Sequence, residues 1–205
     1  SVGASDVLVY AHPGVADASP LRALAEAGLT GVYLMLPAAS RDLLAILTGG
    51  RGSLKRVAAL ISAANALSLS TAVEVPVVAS NYEAIPDTVA RALNLIARPD
   101  RVILRFLSEF DRRTGPKGWD HGRARDAVTE AIRVAHDRGV PVHLAHPEAP
   151  PPCVLDLPAA WPENYPGFMI AGWAKERPHP FEACPTCGAR TVCSFDGRHW
   201  AGEEG

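Results

Sequence analysis

Short apolar runs alternate with longer stretches of helical spacing over the first two thirds of the chain. Val7–Tyr10, Val32–Leu36, Thr71–Val78, Arg101–Leu107 and Val140–Ala145 are apolar enough on both faces to read as buried strands. Between them, apolar residues recur at three and four positions. Leu21, Leu24 and Ala25 predict a first helix from about Pro20, with Ser19 as its cap and Gly28 as its stop. A short helix is expected around Asp42–Leu47. A longer one, capped by Ser53, carries Leu54, Val57, Ala58, Ile61 and Ala64. Two more follow, one with Ile85, Val89, Ala92, Leu93 and Ile96, the other with Ala124, Ala127, Val128, Ala131 and Ala135 before Gly139.

Strictly alternating strands and helices with near-continuous apolar strands predict an α/β fold with a parallel sheet. Five such units are too few for a closed eight-stranded barrel of roughly 250 residues. The expected architecture is therefore an open partial (β/α) barrel over 1–146. Its functional loops should follow the strand C-termini. From Pro147 the pattern dissolves, and 147–205 reads as a small cysteine-rich, metal-stapled extension.

Composition narrows the function classes. The 205 residues carry a formal net charge of −2, with 48% hydrophobic and 6% aromatic residues. Neither the charge nor the aromatic content suits a nucleic-acid surface. No apolar run approaches the roughly 20 residues of a membrane span, and no secretory segment is visible at the start.

All four cysteines lie in the extension: Cys153, Cys184, Cys187 and Cys193. Cys184-Pro185-Thr186-Cys187 is a C-x₂-C knuckle, a turn that brings two sulfurs to one ion or cluster corner. Cys193 follows closely and Cys153 returns from farther away, a spacing suited to one metal centre. Two disulfides, a zinc ribbon and free thiols are the competing readings. A cysteine-poor body with its thiols in one patch points to a reduced, cytoplasmic setting.

Other candidates lie in the body. Glu74 and Arg105 sit mid-strand among apolar neighbours, where an unpaired charge is costly. Either both point into a polar lumen and meet there, or each reaches water separately at an open sheet edge. Asn81 follows the third strand, where a turn residue needs no function. His12, His143 and His146 invite a metal reading, but His143 and His146 would face opposite sides of an extended strand. His179 and His199 flank the cysteines and could replace one as ligand, which four available thiols make unnecessary. Gly49-Gly50-Arg51-Gly52-Ser53 could hold an anion at a helix start, but it lacks the lysine and spacing of a P-loop and reads better as a helix-entry loop.

Three segments together resemble the later part of radical S-adenosylmethionine (radical SAM) enzymes: 27–36 (Ala-Gly-Leu-Thr-Gly-Val-Tyr-Leu-Met-Leu), 47–54 (Leu-Thr-Gly-Gly-Arg-Gly-Ser-Leu) and 75–81 (Val-Pro-Val-Val-Ala-Ser-Asn). Pro151-Pro152-Cys153 looks like the segment in which some members place an auxiliary-cluster cysteine. Cys184-x₂-Cys187-x₅-Cys193 resembles part of their SPASM or twitch extensions. The resemblance implies an auxiliary 4Fe-4S cluster on Cys153, Cys184, Cys187 and Cys193, with structural zinc as the alternative. It also implies a peptide-like or small-molecule substrate, and makes Glu74, Asn81 and Arg105 candidate cofactor-binding residues. The family's C-x₃-C-x₂-C loop is absent from this sequence, as is the glycine-rich stretch expected after the second strand, so the first strand here resembles the family's third. S-adenosylmethionine is then expected only with the missing loop, supplied by an earlier segment or a partner chain covering the first strand; a degenerate relative is the third possibility. The alternative function is a non-catalytic binding or scaffold module.

Overall fold

The computed structural model describes residues 7–14, 16–95, 99–107, 120–145, 150 and 155. Within them the chain forms five strands: β1 (Leu8–Ala11), β2 (Gly31–Met35), β3 (Ser70–Val77), β4 (Arg101–Phe106) and β5 (Val142–Ala145). The helices are α1 (Leu21–Glu26), α2 (Arg41–Leu47), α3 (Leu54–Ala66), α4 (Ile85–Leu95) and α5 (His121–His136), with a 3₁₀ turn at Tyr82–Ala84. All strand pairings are parallel and the sheet order is β1-β2-β3-β4-β5. The protein is thus an α/β protein with one all-parallel sheet, and its sequential order is consistent with a partial barrel. Among the described residues, no helix is long and apolar enough to cross a membrane.

Side-chain alternation divides the sheet into two faces. Val32, Leu34, Val73, Val75, Val77, Val102, Leu104, Phe106, Val142 and Leu144 join one core with residues of α1, α3, α4 and α5. The opposite parity gives a second face carrying a small cluster of Ala72, Ile103 and Ala145, with Tyr33 against it. Burial on both faces is the reason β2–β5 read as continuous apolar runs rather than as alternating ones, whereas β1, expected to be buried, lies at the sheet edge with Leu8 and Tyr10 exposed.

Local signals account for most element ends. Ser53 Oγ accepts from Arg56 N at 3.3 Å, as expected of a cap, and Ser40 does the same for α2. Gly28 stops α1 at φ +103°, where a side chain would be strained. Ser19 does not cap α1. The Asp17 carboxylate takes both its N–H (2.9 Å) and its hydroxyl (2.8 Å), and Pro20 occupies the cap position instead. Those two bonds, the backbone one first, hold the Asp17 carboxyl below its ordinary value.

Two helix faces also differ from expectation. Leu24 is 39% exposed because α1 is only 6 residues long and buries Leu21 alone. In α3 Leu60 is buried with Val57, Ile61 and Ala64, whereas Leu54 and Ala58 are half-buried. Ile96 lies outside the described residues. Leu155, beyond the last strand, belongs to the main core, so the chain is anchored to the body two positions after Cys153.

Candidate functional site

The second face carries the charged residues that mid-strand placement singled out. Glu74 on β3 is 2% exposed, and its Oε2 pairs with Arg105 Nη2 on β4 at 2.8 Å. The two meet, as one of the sequence readings required. The other, two unconnected charges at an open sheet edge, is excluded because β3 is the central strand and β4 is also internal.

A third member was not anticipated. Tyr10 Oη donates to Glu74 Oε1 at 2.7 Å, from two strands away. Neighbouring strands are spaced at roughly 4.8 Å, so this phenol bridges about 10 Å of sheet, over β2. The parity of Val7–Tyr10 marks Tyr10 as a second-face residue, but nothing local in the sequence signals a partner 64 positions on.

The cluster is electrostatically ordered. The Glu74 hydrogen bond, opposed by partial burial, holds the Arg105 guanidinium above its already high value. Burial first, then the bond to Glu74, pushes the Tyr10 phenol well above its ordinary value. A raised value means that the contribution of Tyr10 to stability is complete below the ordinary phenol value of 10.0 and is lost as pH rises through the raised one. The phenolate absorbance that appears near pH 10 should accordingly be unchanged in Tyr10→Phe. A drop in that absorbance by one tyrosine's share would refute the raised value. Arg105, with its side chain 39% exposed, has further N–H donors in a planar fork suited to a carboxylate.

Asn81 is placed differently. It is 3% exposed, its Oδ1 accepts from Val78 N at 2.8 Å, and its Nδ2 donates to Pro37 O (2.9 Å) and Pro76 O (2.7 Å). The reason lies in the ladder. Leu36 N donates to Glu74 O, so the next bond in a parallel register would reach Pro76 O from residue 38, after β2 has already ended. The Asn81 amide substitutes for that donor. Pro76 is tolerated in a central strand because its missing N–H faces the side where β2 stops. Both amide hydrogens of Asn81 are committed to backbone. Asn81→Ala should lower stability by about 2–4 kcal/mol, since it strands three backbone groups of which two lose a donor. Thermal unfolding of the variant checks this, and an unchanged midpoint would contradict it.

Two residues past Glu74, at the C-terminal ends of β1–β4, lies a cavity of about 120 Å³. Met35, Pro37, Leu47, Pro76, Val78 and Leu107 give it apolar walls, and its polar lining among the described residues consists of His12 and Asn81. Its place agrees with the expectation that functional loops follow strand C-termini. His12 Nδ1 accepts from Gly14 N at 3.0 Å.

The glycine-rich loop serves helix entry. Thr48 Oγ1 donates to Leu44 O at 2.6 Å and accepts from Gly52 N at 2.7 Å, and a Cβ at Gly52 would lie 2.6 Å from that oxygen. Arg56 then donates to Gly14 O (3.2 Å) and Arg51 O (3.0 Å), tying this loop to the one after β1.

His143 faces the second face, in register with Ile103 and so on the row of Glu74. Its Nδ1 is buried with no partner among the described residues, and burial, then the Arg101 cation, hold the ring below its ordinary value. His146, His179, His199 and the four cysteines lie outside the described residues. Among the described residues no group of three or more His, Cys, Asp or Glu could hold a metal.

Fold and site together define an α/β protein with a five-stranded parallel sheet, a Tyr–Glu–Arg cluster built around the buried Glu74 on one face, and an apolar cavity at its strand ends. The chain has no significant match among protein-family models, curated proteins or solved structures.

Proposed function

We propose that this chain is the substrate-side portion of a radical SAM-type enzyme, an open partial (β/α) barrel followed by a reduced SPASM- or twitch-like extension, acting in the cytoplasm on a peptide or similar substrate. The observation that carries the reading is the Glu74–Arg105 pair, its carboxylate buried on the second face of an all-parallel sheet just below the strand C-termini. A carboxylate held out of water beside a cavity, with a half-exposed cation as its partner, is a functional-site candidate. The three resembling segments fall on β2, on the α2–α3 connection and on the end of β3, all bordering that cavity.

The donor set fits the implied metal group. Cys153, Cys184, Cys187 and Cys193 offer four thiolates, the complement that a 4Fe-4S cluster or a tetrahedral zinc takes. When bound, a cluster would supply one-electron transfer or an anchor for substrate. The body's own residues do the positioning: the Arg105 fork holds a carboxylate, and Glu74 accepts from hydroxyl or ammonium groups while Tyr10 keeps it oriented. The sequence contains no C-x₃-C-x₂-C loop, so the chain alone would not cleave S-adenosylmethionine. A partner carrying that loop would meet the outer edge of β1, where Val7, Leu8 and Tyr10 are 48%, 44% and 50% exposed.

Metal identity tests the proposal. Protein prepared without oxygen should be brown and hold iron and acid-labile sulfide in equal amounts. Colourless protein with stoichiometric zinc would replace it with the scaffold reading.

A further inference from the structure

Among the described residues that line the cavity at the strand C-termini, one has a polar atom that the fold does not use. Asn81, the other polar side chain in its wall, has both amide hydrogens on backbone carbonyls. His12 is different. Its Nδ1 accepts from Gly14 N, which is possible only when Nδ1 carries no proton. The proton of the neutral ring is then on Nε2, and Nε2 has no partner among the described residues. The ring is also held in place: Arg56 donates to Gly14 O at 3.2 Å, fixing the turn to which Nδ1 is bonded.

We propose that this cavity binds a compact apolar group bearing a carbonyl, with His12 Nε2–H donating to the carbonyl oxygen. Three observations converge. The volume of about 120 Å³ approaches that of cavities on the order of 150 Å³ that admit a benzene-sized ligand. The walls contributed by Met35, Leu47, Val78 and Leu107 offer no hydrogen bond to a more polar guest. The fixed tautomer of His12 makes it a donor, so the guest must bring the acceptor. Binding pockets combine these elements, an apolar lining with a few placed polar groups. A leucine-sized peptide side chain with its adjoining carbonyl has this chemistry, as does a six-membered cyclic ketone. The inference rests on the cavity and His12 alone, and stands whether or not the extension holds iron.

The test uses the full chain and two isosteric probes, cyclohexanone and methylenecyclohexane, which differ in having or lacking the acceptor. Binding is read by ligand-observed saturation-transfer NMR titration. The wild type should bind cyclohexanone about 3- to 10-fold more tightly, the ratio expected of one net hydrogen bond. His12→Asn keeps an oxygen that can accept from Gly14 N, in the manner of an Asx turn, while its shorter side chain withdraws the donor from the position of Nε2–H. It should lose the preference for cyclohexanone and bind it more weakly than the hydrocarbon, because the carbonyl is then desolvated without a donor. Leu47→Trp, at the half-buried wall, should abolish binding of both, with circular dichroism confirming that each variant is folded. No binding by the wild type, equal affinity for the two probes, a preference that survives His12→Asn, or binding that survives Leu47→Trp would each overturn the proposal.

Discussion

Arg105→Ala should destabilise the protein by about 3 kcal/mol, more than Glu74→Leu, although the two residues form one ion pair. The asymmetry follows from burial. The Glu74 side chain is 3% exposed on the central strand, whereas that of Arg105 is 39% exposed. Removing Arg105 leaves a buried carboxylate with Tyr10 as its remaining partner. Removing Glu74 leaves a long cation that can turn its guanidinium to water. The stability lost in Arg105→Ala should largely return in the double variant Arg105→Ala/Glu74→Leu, because replacing both members of a buried pair by apolar groups removes the uncompensated charge. Urea unfolding of the two single variants and the double one gives the coupling directly. If the two losses simply add, the pair is not energetically coupled and the cluster has no claim to be a desolvated site.

Replacing any one of Cys153, Cys184, Cys187 or Cys193 with alanine should remove most of the bound metal while leaving the main unfolding transition nearly unchanged. A four-thiolate centre that loses one ligand loses much of its binding free energy. The described core packs β1–β5 against the helices, with Leu155 added, and that packing supplies the main transition. Metal content per chain and thermal unfolding, measured on the same four samples, distinguish the two parts. Full metal content in all four variants would rule out the four-thiolate centre. Metal loss confined to Cys184 and Cys187 would show that Cys153 and Cys193 are not ligands.

How much was legible depended on the range of the signal. The alternation of apolar runs and helical spacing led directly to an all-parallel sheet, because strands buried on both faces must be continuously apolar. Caps and stops are chemistry within one turn, so Ser53 and Gly28 were readable. Ser19 was misread because a competing carboxylate, Asp17, sits two residues earlier and takes its hydroxyl. Leu24 was misread because helical spacing states which residues share a face, not whether a 6-residue helix has a neighbour to bury them.

Glu74 and Arg105 could be singled out from sequence because a charge in a continuously apolar strand requires an explanation. Their pairing could be expected only as one of two outcomes, since strand order and register decide whether two strands are adjacent. The partner of Tyr10 had no local signal, for it lies two strands across the sheet. The cavity, likewise, exists only where four strand ends converge. The residues around Asn81 show the same division in a single side chain. Its turn position is local and was legible. That its amide completes a ladder interrupted by the end of β2 at Pro76 depends on where two strands stop relative to each other. Local sequence determines backbone periodicity, caps and stops because those energies act over a few residues. Which polar groups meet is decided by tertiary structure, because a buried charge or amide takes its partner from whatever neighbouring strands the packed sheet brings within hydrogen-bond reach.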